Sequence, residues 1–164
     1  MIRAFRYGDN SNNMANTYSQ IYLHVIFSVK DRESLILPEY EQELHSYLCG
    51  ACKNRKHMVI AIGGMPDHIH LLISMHPSEG VSALVQSIKV QSSLWMHNKG
   101  VAKFSWQAGY AAFSYSKSQL PQVAKYILNQ KEHHKDRSFD NEILHIAQKS
   151  GIEFKREYLL KGIE

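Results

Sequence analysis

The order of apolar patterns along the chain predicts an α+β fold. It is a ferredoxin-like (RRM-like) antiparallel sheet with helices on one face plus C-terminal helices. Three observations carry this. Residues 20–30 alternate apolar and polar positions, as a half-buried strand does. Residues 57–64 and 68–75 are two further strand-like runs joined by a Gly-Gly-Met-Pro-Asp turn. Residues 38–55 and 79–100 are helix-length, carry apolar stripes and fill the two crossovers of a β-α-β-β-α-β order.

In "QIYLHVIFSVK", Ile21, Leu23, Val25, Phe27 and Val29 share one side; Tyr22, His24, Ile26, Ser28 and Lys30 share the other. The first helix opens on Pro38 and Glu39 and closes on basic residues, which suits its dipole. Tyr40, Leu44, Tyr47, Leu48 and Ala51 form its apolar stripe. The second helix turns Val81, Leu84, Val85, Ile88 and Trp95 inward, and Gly100 can end it. Residues 103–116, rich in aromatics and serine, read as a fourth strand with an irregularity at Gly109. Ser118 is expected to cap a third helix over 119–134, with Pro121 in its first turn. A last helix over 139–150 ends at Gly151, and a tail carries Phe154, Tyr158 and Leu159. Residues 1–13 read as a flexible extension, with Met14 as an older start, and residues 14–164 as one domain.

The 164 residues are 44% apolar, enough for one core, and no apolar run has the length of a membrane span. The N-terminus lacks a signal-peptide core, so a cytoplasmic, reducing location is expected. The net charge of +4 and pI near 9.0 suit a polyanionic partner without identifying one. Cys49 and Cys52 make a C-x-x-C. It falls late in a helix and no second ligand pair accompanies it, so the two read as small helix residues.

The stretch "GGMPDHIHLLIS" (63–74) holds two histidines on alternate residues. Ile69, Leu71, Ile73 and Met75 are uniformly apolar and belong to the core side. His68 and His70 then lie together on the opposite, open face, with Cα atoms about 7 Å apart. Two imidazoles at that spacing can converge on one small cation. In "KYILNQKEHH", Tyr126 and Gln130 are four apart and share a helix face, which His133 and His134 continue.

Taken together, these residues resemble the single-tyrosine HUH transposases of small insertion sequences that move as single-stranded DNA, and their relatives associated with repeated palindromes. The segments that carry the resemblance are "YLHVIFSVKDR", "GGMPDHIHLLIS", "SIKVQSSLWMHN", "FSWQAGYAAFSYS", "VAKYILNQKEHH" and the ending "GIEFKREYLL". The resemblance implies that His68 and His70 are metal ligands, that Tyr126 is the nucleophile and that Gln130 is the third ligand. It implies one Mg²⁺ or Mn²⁺ per active site and single-stranded DNA with hairpin ends as substrate. It also implies a homodimer whose tyrosine helices complete the partner's site in trans, with "SYSKSQ" as the hinge. The residues before Met14 have no counterpart in that pattern.

The chemistry is coherent by itself. A cation on a nonbridging oxygen eases attack on a phosphodiester, and neutral imidazole and amide ligands leave its charge undiminished. A tyrosine ester conserves the bond for later rejoining. Lys30, Arg32 and Lys89 are candidate contacts to DNA, and Trp106, Tyr110, Phe113 and Tyr115 are candidate stacking surfaces. Two rivals are weaker. A histidine-triad nucleotide hydrolase needs a third histidine where Leu72 stands. An RNA-binding module on the same scaffold would show aromatics on its central strands, where this chain shows histidines.

Overall fold

The computed structural model describes residues 18–133 and 138–153. The extension at 1–13, His134 and the tail from Phe154 lie outside them, as does the side chain of His133. Strands β1 (Tyr22–Ser28), β2 (Met58–Met65), β3 (His68–Ser74) and β4 (Ala111–Ser114) form one antiparallel sheet in the order β2-β3-β1-β4. Helices α1 (Pro38–Asn54) and α2 (Val81–Asn98) are the crossovers. Helices α3 (Leu120–Leu128), α4 (Gln130–His133) and α5 (Phe139–Lys149) follow β4. The ferredoxin-like order expected from the apolar patterns is the order observed.

Local chemistry accounts for most boundaries. Pro38 and Pro121 sit in first turns, where a missing N–H costs nothing. Gly100 (φ +94°) and Gly151 (φ +68°) lie just past α2 and α5 in the left-handed region that ends helices. The β2–β3 turn is tighter than expected: Gly63, Gly64 and Met65 pair within the ladder, leaving only Pro66 and Asp67 outside it.

Two elements differ from expectation. Of residues 103–116 only Ala111–Ser114 forms a strand, and Val29–Trp106 is an isolated bridge. The reason is Lys89. Its ammonium donates to the carbonyls of Gln107 (2.8 Å), Ala108 (3.2 Å) and Gly109 (2.6 Å), drawing that backbone out of any ladder. The helix expected over 119–134 is interrupted at Asn129 (φ −99°, ψ 21°) and resumes as α4. Its entry is fixed by Gln119, whose Oε1 accepts from the backbone N–H of Ser116 at 2.9 Å, rather than by Ser118.

The sheet buries both faces. On one, Val25, Phe27, Ile69, Leu71 and Ile73 meet Leu44 and Leu48 of α1 and Leu84, Val85 and Ile88 of α2. The opposite face, expected to be open, is covered by the C-terminal helices. Ala61 and Leu72 pack on Leu120, Val123 and Ile127 of α3. Ile26 and Phe113 pack on Phe139, Ile143, Ile146 and Ala147 of α5. Polar positions in the strand alternation marked this face as solvated, but the apolar stripes of α3 and α5 need a surface to cover.

Candidate active site

Alternation along β3 puts His68 and His70 on the α3/α5 side of the sheet, and both are buried (1% and 0% exposed). The backbone of β2 passes His70 at Gly63. A Cβ on Gly63 would stand 2.2 Å from the carbonyl oxygen of Ile127. Glycine there lets the end of α3 lie directly on the sheet, which carries Tyr126 and Gln130 to the histidines.

Each imidazole is oriented by a neighbour. His68 Nδ1 donates to Asp67 Oδ1 (2.7 Å). Asp67 in turn accepts from Arg32 Nη2 at 2.5 Å and Nε at 2.9 Å. Burial alone would push the Asp67 carboxyl up, but His68 and Arg32 bring it down to about 2. Burial pushes the His68 imidazole down to about 4, so the ring is neutral near pH 7. His70 Nδ1 shares a 2.9 Å hydrogen bond with Nε2 of His24, itself held well below the usual imidazole range by burial and by His70. These contacts leave the Nε2 atoms of both β3 histidines facing the same space.

Glu142 of α5 lies across that space. Its Oε1 is 3.5 Å from His70 Nε2, and its Oε2 is 3.7 Å from His68 Nε2. Tyr126 donates its hydroxyl to Oε1, and Gln130 Nε2 donates to the same oxygen at 2.9 Å. One ligand atom from each of His68, His70 and Glu142 falls within 4.8 Å of the others. Gln130 is buried, and its Oε1 has no hydrogen-bond partner among the described residues; nor has His70 Nε2. Nitrogen and oxygen donors so gathered fit a divalent cation. The half-buried Tyr126 ring lies 6.2 Å from the ring of His70, between centroids.

The structure brings together His68, His70, Tyr126 and Gln130. It does not bring Lys30, Arg32 or Lys89 to them as free cations. Lys30 is exposed at the end of β1. Arg32 braces Asp67 and Asp140 and lies 3.9 Å over the Phe139 ring. Lys89 is 9% exposed, gives its three N–H donors to carbonyls, and is pushed down to about 8 by burial. Cys52 is sealed in the core and its thiol is pushed up to about 12 by burial; Cys49 is half-buried beside it. Sequence reasoning passed over His24, Asp67 and Glu142. Asp67 adjoins the motif, and His24 lies on the correct face of β1, so both were within reach. Glu142 carries no local signal.

Comparison with known proteins decides the family. Residues 17–130 match the model of the family "Transposase IS200 like". The chain belongs to that family. This transposase is 27% identical over 124 residues to the ISDra2 transposase TnpA of Deinococcus radiodurans, covering 68% of this chain and 84% of that one. It is 26% identical over 133 residues to the transposase for insertion sequence element IS200 of Salmonella typhimurium, covering 77% and 87%. Among solved structures, its fold is similar to that of a transposase from Deinococcus radiodurans (TM-score 0.57, 21% identity, 73% and 98% covered). It is also similar to a REP-associated tyrosine transposase bound to a REP hairpin (TM-score 0.56, 17% identity, 76% and 74% covered). As a transposase it cuts and rejoins DNA. The family match stops at Gln130, so α5 and Glu142 lie beyond it. No helix among the described residues is long and apolar enough to cross a membrane.

Proposed function

We propose that this transposase cleaves and rejoins single-stranded DNA at the ends of its element through a 5′-phosphotyrosine on Tyr126. His68, His70 and Gln130 hold one Mg²⁺ or Mn²⁺. The observation that carries this is the meeting of the Tyr126 hydroxyl, the Gln130 amide and the two histidines around one small polar space. The bound ion would draw charge from the scissile phosphate and fix its orientation.

Each residue then has a task. His24 and Asp67 engage Nδ1 of the two imidazoles, so that Nε2 of each faces the place of the ion. The Gln130 amide, turned about its last bond, presents Oε1 where Nε2 now lies. Tyr126 attacks phosphorus: its O–H bond breaks as the new O–P bond forms, and the P–O3′ bond opens to a 3′-OH. Attack by another 3′-OH on the tyrosine ester reverses the exchange and needs no ATP. Exposed Lys30 is the basic side chain we assign to the strand, whereas Arg32 and Lys89 hold the protein together. The hairpin held by the solved relative supports hairpin ends as the recognised form.

The protein works in the cytoplasm as a homodimer. In the single chain Tyr126 meets its own histidines, and the connection at 114–119 gives α3 a route to a partner. Incubation with labelled single-stranded DNA from the gene's flanks and Mn²⁺ tests the chemistry. A protein–DNA adduct at Tyr126 is expected; cleavage without any adduct would overturn it. Mixing Tyr126→Phe with His68→Ala chains tests the assembly. Restored cleavage is the result expected of sites completed in trans, and no rescue in confirmed heterodimers would assign the site to one chain.

A further inference from the structure

Glu142 is the one acidic side chain in the buried stripe of α5, among Phe139, Ile143, Ile146 and Ala147. Tyr126 and Gln130 donate hydrogen bonds to it. Its two oxygens also face the histidine pair, one toward each imidazole, at 3.5 and 3.7 Å. Asp67, an acceptor, fixes the proton of His68 on Nδ1, so Nε2 turns a lone pair toward Glu142 Oε2. One ligand atom from each of the three residues falls within 4.8 Å of the others, as the donors to a single cation would. Donors sharing a first-row ion at about 2.0–2.3 Å stand about 3–3.7 Å apart, which is the spacing seen here.

We propose that Glu142 is itself a ligand of the ion in the DNA-free protein, and that it gives up its place to a nonbridging phosphate oxygen when a strand enters. The inference rests on the metal reading of His68 and His70 above. Its carboxylate spans the histidines and the Tyr126 hydroxyl, the position a phosphate under attack by that hydroxyl must occupy. With α5 docked, His68, His70 and Glu142 are all less than 5% exposed. DNA therefore reaches the histidines only when a covering helix moves, and displacement of Glu142 by phosphate would release α5.

The test is Mn²⁺ binding by calorimetry on the full, DNA-free chain, compared across wild type, Glu142→Gln and His70→Ala. Glu142→Gln is expected to weaken Mn²⁺ binding about tenfold or more. Wild-type affinity in Glu142→Gln, with binding lost in His70→Ala, would overturn the role of Glu142 and leave the metal reading standing. No binding by wild type would overturn both. Amide exchange supplies a readout that needs no Glu142 variant. Mn²⁺ should slow exchange across Phe139–Lys149 in wild type and not in His70→Ala; unchanged exchange at saturating Mn²⁺ refutes the ligand. Single-stranded end DNA added to Mn²⁺-loaded Tyr126→Phe should return α5 to fast exchange. Continued protection would refute the displacement.

Discussion

The two faces of the sheet are both buried but are built for different ends. Against α1 and α2 the strands present Val25, Phe27, Ile69, Leu71 and Ile73, an unbroken apolar layer. Against α3 and α5 the same strands present His24, His68 and His70 among smaller apolar clusters, and the covering helices bring Gln130 and Glu142. The first layer gains free energy from every side chain it hides. The second hides polar groups, which add little net stability even when paired. Polar burial of that kind is retained for chemistry, and here it gathers at the only cluster of metal-ligating side chains among the described residues.

Removing the nucleophile should separate the faces most sharply. Tyr126→Phe is expected to lower cleavage of single-stranded end DNA at least about a thousandfold, with hairpin binding retained. Gel assays of cleavage and of binding check both halves; residual cleavage near wild type would remove Tyr126 from its role. Next come paired truncations on adjacent residues of β3. Leu71→Ala opens a cavity in the apolar layer and should cost about 2–5 kcal/mol, with metal-dependent cleavage by the folded protein preserved. His70→Ala should cost less, about 1–3 kcal/mol from the lost contact with His24, yet abolish that cleavage. Urea melts beside cleavage rates would show the crossing. Equal stability losses would mean that the histidine face is as much a core as the other.

Gly63→Ala tests how the second face is assembled. The new Cβ would press on the Ile127 carbonyl and lift the end of α3 from β2. A loss of about 1–3 kcal/mol is expected, together with reduced cleavage, because Tyr126 lies on α3 and Gln130 opens the helix that directly follows it. A stability loss with unchanged cleavage would show that α3 reaches its working position independently of this contact.

The same contrast explains what could be read from the chain alone. The apolar face declares itself by alternation, so β1, β2, β3, α1 and α2 fall within a few residues of expectation. His68 and His70 share a face for the same reason. Tyr126 and Gln130 come together although the helix breaks between them at Asn129, because the interruption keeps both against the sheet. Glu142 was hidden because its place depends on how α5 docks, and no local pattern encodes docking. Lys89 misled because a lysine in sequence shows its charge and not the three carbonyls it holds. The open face was wrongly expected because polar residues on strands mark solvent or a buried site equally well.

The smallest effect belongs to the apolar face, at the junction of α1, β2 and α2. Glu79 accepts from Arg55 Nε at 3.0 Å and from His57 Nε2 at 2.8 Å. The backbone N–H of His76 donates to His57 Nδ1, which leaves the His57 proton on Nε2, facing the carboxylate. Hydrogen bonding from Arg55, then His57, outweighs partial burial and brings the Glu79 carboxyl down to about 2. A carboxyl lowered on folding adds stability at pH values above its unfolded pKa, about 4.3, and loses that addition as pH falls toward 2. Arg55 is 36% exposed, so screening reduces the contribution to about 1 kcal/mol. Glu79→Gln should therefore be less stable than wild type by about that amount at pH 7, with the gap closing between about pH 4.3 and 2. Because this cluster is remote from the histidines, the same variant should cleave DNA at the wild-type rate. Slower cleavage would show that the two faces are coupled through the sheet they share.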